Sequence, residues 1–171
     1  MSDIRLVGLE SIRIGAVGAS GAMGTTLTTI AYTVPDSAHL IVEVPGMTDL
    51  FVEESDLPDI QILGTSKKTI EFATRDMSTG VLIEAFGGSA TAGVWSAAVT
   101  AAVIKERCIE AISKTINGKK LKIEMPRTSV KTGGDLKFAK TESGQITFSC
   151  DVLIPASSTQ ISPMVITQVS E

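Results

Sequence analysis

The chain has 171 residues, 43% of them hydrophobic and only 4% aromatic, and a formal net charge of −4. That length and apolar content suit one domain that buries a core, and argue against a disordered chain. So few aromatics and so little excess basic charge argue against a nucleic-acid reader that stacks bases or presents a polybasic face.

The distribution of charge says more than its total. Between Arg13 and Lys67 there is no Lys or Arg. That interval holds Asp36, Glu43, Asp49, Glu53, Glu54, Asp56 and Asp59, a net of −7. Residues 105–140 carry ten basic and four acidic residues, a net of +6. Two such segments lead to the expectation that the acidic one of one copy meets the basic one of another. The plainer alternative is two solvated faces.

Met1-Ser2-Asp3-Ile4-Arg5 has no basic stretch leading into an apolar run, so no signal peptide is expected. Leu9–Ile14 reads as a first strand and runs into Gly15-Ala16-Val17-Gly18-Ala19-Ser20-Gly21-Ala22-Met23-Gly24. A strand entering spaced glycines resembles a dinucleotide-binding turn, in which backbone N–H groups approach a pyrophosphate at a helix N-terminus. The following Thr25–Pro35 run is β-branched, poor in helix formers and closed by proline. The glycines at 15–24 are therefore expected to be a connection between strands. A dinucleotide-binding enzyme is the lesser alternative, and no cofactor is expected.

Leu40–Val44 reads as a short strand ended by Pro45-Gly46. Residues from about 45 to 60 read as an acidic arm outside the core. Asp49, Leu50, Phe51, Val52, Glu53, Glu54 and Asp56 are its candidates for contact with a neighbouring subunit. A short strand is expected near Asp59–Leu63 and a clearer one at Lys68–Thr74, with Ile70 and Phe72 on one face. Asp76 is a plausible N-cap for a helix over residues 77–86 that Gly87-Gly88 stops. Met77, Val81, Leu82, Ala85 and Phe86 share one face of that helix, and Trp95 is expected to pack nearby. Ala97–Glu106 reads as an extended lead-in. Its apolar part, Ala97–Ile104, falls far short of the roughly 18 residues that a membrane-spanning helix needs, so no membrane contact is expected.

Arg107–Ile116, Asn117-Gly118 and Lys119–Met125 form the strongest local signal, two runs across an Asn-Gly turn. A tight turn pairs Ile112 with Ile123. One face then collects Ile112, Ile116, Leu121, Ile123 and Met125; the other collects Ala111, Ser113, Thr115, Lys120, Lys122 and Glu124. Strands of roughly ten residues reach on the order of 33 Å. One wet and one apolar face suit a sheet that meets water or a partner on one side. Thr128–Gly134 reads as a polar connection, Gln145–Val152 as another strand, and Ile161–Val169 as a terminal edge strand that tolerates Pro163. Cys108 and Cys150 make no metal or disulfide pattern and are expected to be small buried hydrophobes. His39 is the only histidine. No metal loop and no nucleophile–base set is legible, so the chain is not expected to be an enzyme.

Several elements then follow in a recognisable order. They are Thr69-Ile70-Glu71-Phe72, Val81-Leu82-Ile83-Glu84-Ala85-Phe86-Gly87-Gly88, Trp95 and the Asn117-Gly118 hairpin. Ile123-Glu124-Met125-Pro126-Arg127 comes next, then Gln145-Ile146-Thr147-Phe148 leading to Leu153-Ile154-Pro155. This order, over roughly residues 40–155, resembles the tail tube (major tail) proteins of long-tailed bacteriophages and related prophages.

The resemblance implies a single mainly-β domain, residues 1–171. It would be an antiparallel β-sandwich or sheet pair with one flanking α-helix, in which strands from several subunits close an inner barrel. It implies rings, usually hexameric, stacked into a tube in the virion, assembled in the host cytoplasm with other phage tail proteins. Viral DNA would pass through the channel without sequence-specific binding, and Ser113, Thr115, Lys120, Lys122 and Glu124 would face it. A tail terminator, a head-decoration protein and the tube of a contractile injection machine are the neighbouring alternatives.

Overall fold

The computed structural model describes residues 8–53, 56–98, 105–138, 143–156 and 162–170. Alternating apolar residues make the chain mainly β, and every strand pairing among the described residues is antiparallel. The strands are β1 Leu9–Ala16, β2 Leu27–Ile30, β3 His39–Val42, β4 Met47–Leu50, β5 Ile60–Leu63 and β6 Lys68–Thr74. After the helix α1 Thr79–Phe86 come β7 Ser89–Thr91, β8 Val94–Ser96, β9 Lys105–Ser113, β10 Lys119–Phe138, β11 Ser143–Val152 and β12 Val165–Ser170. One sheet runs β2-β1-β9-β10-β11-β6-β3, with β12 also on β10; β4–β5 and β7–β8 are separate hairpins.

β10 organises the sheet. Its Lys119–Glu124 stretch pairs with β12 and its Thr128–Phe138 stretch pairs with β11, while β9 lies along its other side. Thr128–Gly134 is therefore the middle of a twenty-residue strand and not the expected connection. The polar residues there belong to the ladder: Thr128 is fully buried, and its Oγ1 donates to Arg107 O at 2.9 Å. Pro126 has no N–H for a central strand and sits where the β9–β10 register slips by one residue.

The Asn-Gly turn forms as expected. Asn117 and Gly118 have φ of 51° and 73°, and Ile116 and Lys119 exchange backbone hydrogen bonds of 2.8 and 3.0 Å. The faces beyond it differ from the expectation. Ile112 lies opposite Lys122, and Ala111 opposite Ile123, because one extra residue is accommodated in β9 between Ile112 and Ile116. A one-residue slip exchanges faces. Ala111 and Ser113 are therefore buried on the core side with Ile109, Ile123 and Met125, while Ile112 shares the polar side with Glu110, Lys122 and Glu124.

The sheet curls, without closing into a barrel, around one core. Ile12, Ile14, Ile30, Ile109, Ile123 and Met125 come from one half, and Ile70, Phe72, Val130, Ile146, Phe148 and Cys150 from the other. Phe72 and Phe148 stack with ring centroids 4.8 Å apart. Past β2, the chain reaches β6: Val34 N donates to Ala73 O at 2.8 Å and Arg75 N to Tyr32 O at 3.0 Å.

α1 places Val81 and Ala85 in that core. It starts two residues later than expected. Asp76 is used in a side-chain turn instead of as the cap, its Oδ1 accepting from Ser78 N at 2.9 Å and its Oδ2 from Ala31 N at 3.3 Å. Gly87 ends the helix at φ 77°, its N–H donating to Ile83 O. Trp95 closes over that end, with Nε1 donating to Gly87 O at 2.8 Å and the ring 6.3 Å from Phe86.

Both cysteines are free and buried. Cys150 lies in the main core, where burial pushes its thiol up to about 12. Cys108 lies on the opposite side of the sheet, beneath the glycine-rich connection, with Gly24 N donating to its Sγ at 3.3 Å. That connection contains only a three-residue 3-10 turn, Ala19–Gly21, and returns as the antiparallel β2. Its glycines serve close approach: a Cβ on Gly24 would stand 2.1 Å from Ala16 O, and one on Gly15 would stand 2.4 Å from Thr26 O. β12 forms on the edge of β10. Ile161 and most of the expected Ala97–Glu106 lead-in, residues 99–104, lie outside the described residues. Among the described residues, no helix is long and apolar enough to cross a membrane.

Candidate functional site: an apolar arm and a charged sheet face

The acidic segment folds into a hairpin that continues the β3–β6 pair off the sheet. β3 pairs with β6 from His39↔Glu71 to Val42↔Lys68. Glu43 N then donates to Lys67 O at 2.9 Å, and Gly64 N to Gly46 O at 2.7 Å, before β4 and β5 take up the pairing. Every residue of β4 and β5 is exposed. One side carries Thr48, Leu50, Ile60 and Ile62. The other carries Met47, Leu63 and the pair Asp49–Gln61, joined by a hydrogen bond of 3.0 Å. At the tip, Phe51 is 60% exposed and Leu57 74% exposed.

The structure thus gathers the expected arm residues Asp49, Leu50, Phe51, Val52, Glu53 and Asp56 on one exposed projection; Glu54 lies outside the described residues. An isolated two-stranded hairpin is marginal in water. Covering large side chains such as Phe51 and Leu57 is worth roughly 1.5–3 kcal/mol each. The β-strand form of the arm was only half legible, since Met47–Leu50 carries an aspartate and shows no regular alternation.

Most cations of the basic segment, the expected counterpart of the arm, have partners within the same chain. Lys105 donates to Ile83 O at 2.8 Å at the C-terminus of α1; burial lowers its pKa and neighbouring Arg107 adds to that. Arg107 pairs with Glu84 at 2.5 Å, Arg127 with Glu106 at 2.6 Å, and Lys131 with Asp151 at 2.7 Å. Burial would raise the Asp151 carboxyl, but hydrogen bonds from Lys131, Lys67 and Thr69 outweigh it and bring it down to about 2. Sequence alone could not show most of this, because the partners of Lys105, Arg107, Lys120, Arg127 and Lys131 lie on α1, β1, β9 and β11.

The second surface is the polar side of β1, β9 and β10. Arg13 lies opposite Glu110, and Glu110 opposite Glu124. Arg13 is paired with Glu110, which is 6% exposed. Lys122 Nζ stands 2.8 Å from Glu124 Oε1 and 3.9 Å from Glu110 Oε2. Lys120 Nζ reaches Glu10 Oε2 at 3.2 Å. Of the five residues expected to face a channel, Lys120, Lys122 and Glu124 occur together here, half-buried. Thr115 sits half-buried near the turn, in the bulge region. Ser113 does not join them: it is 3% exposed and on the core side of the sheet, owing to the slipped register.

His39 is exposed on edge strand β3. Among the described residues, no three His, Cys, Asp or Glu side chains are grouped to hold a metal ion. An open depression of about 390 Å³ beside β6, β10 and β11 is lined in part by Ser37, Glu71, Lys131 and Ser149. There Ser149 Oγ donates to Glu71 Oε1 at 3.1 Å. No known family model and no curated protein matches the chain.

Proposed function

We propose that this chain is a structural virion protein, the subunit of a phage tail tube. Copies would form rings, expected to be hexameric, that stack into the channel for viral DNA, in contact with other tail proteins. In this reading the main sheets of neighbouring subunits together wall an inner barrel. The β4–β5 arm reaches the next subunit, within the ring or in the next ring. The particle would assemble in the host cytoplasm and remain in the virion.

The observation that carries the reading is the arm, a hairpin exposed along its whole length beside a well-packed core. The order of elements that resembles tail tube proteins supports it. A tube needs a heterologous contact, two unlike surfaces that repeat without closing, and a projecting arm supplies one of them. Negative-stain microscopy of the purified chain tests the proposal. Stacked rings or tubes are expected. Single rings alone would favour a terminator, and monodisperse monomers at high concentration would overturn the assembly reading.

A further inference from the structure

We infer that the polar side of β1, β9 and β10 is a charge-compensated wall, which meets a passing polyanion without holding it. The inference rests on the tube reading and gives that tube's proposed channel face its character. Glu10, Arg13, Glu110, Lys120, Lys122 and Glu124 are three carboxylates and three cations, and each cation has a carboxylate of the same face within 4 Å. Around Glu110 the two signs are interleaved across strands, with Arg13 on one side and Lys122 on the other.

Nucleic acid binds non-specifically by drawing cations onto its phosphates and releasing counterions. Here that exchange would break pairs already made. Moving Arg13 to a phosphate would also leave the buried Glu110 with only Lys122, 3.9 Å away, and loss of a partner by a buried carboxylate is unfavourable. At distances beyond about 8 Å the opposite charges cancel and are screened. Compensation matters more in a repeating particle than in a monomer. A weak attraction repeated on every subunit becomes avidity for a long polymer, and a strand held at every ring would not slide.

The test is fluorescence anisotropy of a labelled DNA duplex titrated with the 171-residue chain at about 50 and 200 mM salt, conditions between which phosphate contacts lose affinity steeply. The wild type should show no salt-dependent binding up to about 100 μM, the weak end of ordinary non-specific affinity. Glu10→Gln/Glu124→Gln, two partly exposed positions, should gain at least about tenfold at the lower salt and lose the gain at the higher. Glu110→Gln should do the same where it folds; the double variant decides alone where it does not. Salt-dependent binding by the wild type overturns the inference, as does a folded double variant with no gain. Microscopy of the same samples reads assembly separately. Absence of rings and tubes would sink the tube reading, while anisotropy still decides whether this face holds DNA.

Discussion

Ser113 Oγ accepts a hydrogen bond from Leu121 N at 2.9 Å. The ladder partner that a regular hairpin would give Leu121 is displaced by the extra residue in β9, and a side-chain hydroxyl takes its place. The same hydroxyl donates to Lys114 O at 3.2 Å. Ser113 is thus the residue that makes the bulge tolerable.

Ser113→Ala should cost about 1–3 kcal/mol, because it leaves the Leu121 N–H unsatisfied close to the core. Ser113→Thr should retain much of the bond. Urea denaturation of the two variants checks this. A Ser113→Ala midpoint equal to that of the wild type would mean that water satisfies the amide.

The same bulge marks where the sequence ceased to be informative. The turn at Asn117-Gly118, the alternation at Gln145–Val152 and the helix stop at Gly87 are local signals, and each appears in the structure. A bulge leaves little local trace, yet it exchanged the faces of Ile112 and Ser113. The Thr128–Gly134 segment was misread because its threonines and glycines have the composition of a loop. Their strand character comes from β9 and β11 on either side, which only the tertiary structure supplies. The arm's exposure was legible from its acids. The internal engagement of the basic segment was not, because most of its pairs, such as Arg107–Glu84, Lys120–Glu10, Arg127–Glu106 and Lys131–Asp151, join residues distant in sequence.

Glycines give a paired test of how tightly the N-terminal connection packs. Gly24→Ala places a Cβ 2.1 Å from the Ala16 carbonyl oxygen and 3.0 Å from Cys108 Sγ. Backbone cannot yield cheaply, so the variant should lose about 1–3 kcal/mol or more. Gly46→Ala, at the base of the arm, has nothing within 4 Å of its new Cβ and should stay within about 0.5 kcal/mol of the wild type. Thermal or chemical melts of both variants measure the contrast. A Gly24→Ala protein as stable as Gly46→Ala would show that the connection does not press on β1.

Asp151 gives a pH dependence of defined sign. Its pKa falls from the ordinary 3.8 to about 2 in the folded chain. A depressed folded-state value means that the stabilisation is fully present above about pH 4 and disappears as pH falls through about 2. Lys131 and Lys67 are substantially exposed, so solvent screening limits the effect to on the order of 1 kcal/mol. Asp151→Asn should therefore be less stable than the wild type at pH 7. The gap should narrow between about pH 4 and pH 2, as the wild-type carboxyl takes up its proton. Denaturation curves across that range give the gap directly, and a gap that widens on acidification would reverse the assignment.

The last prediction concerns what holds copies together. An acidic arm meeting a basic segment would come apart as salt rises, since exposed charges are screened beyond about 8–10 Å near physiological ionic strength. The structure changes that expectation. Lys105, Arg107, Lys120, Lys122, Arg127 and Lys131 are already engaged within the subunit. Recruiting them to an arm would break existing pairs and gain little. In the proposed assembly the affinity would then come from Leu50, Phe51, Val52 and Leu57, exposed apolar side chains that a neighbour would bury. The arm's own acids repel their counterparts on other copies, and salt weakens that repulsion. Assembly should therefore be unchanged or strengthened as salt rises from about 0.1 to 0.5 M, and strengthened further by sulfate, which favours apolar burial. Leu50→Ser/Phe51→Ser should leave the melting transition of the subunit intact, because neither residue belongs to the core, and should yield monomers or isolated rings. Sedimentation across a salt series measures both effects. Tubes that dissolve at about 0.5 M salt would restore the electrostatic contact. Normal tubes from the double variant would place the connecting surface elsewhere on the subunit.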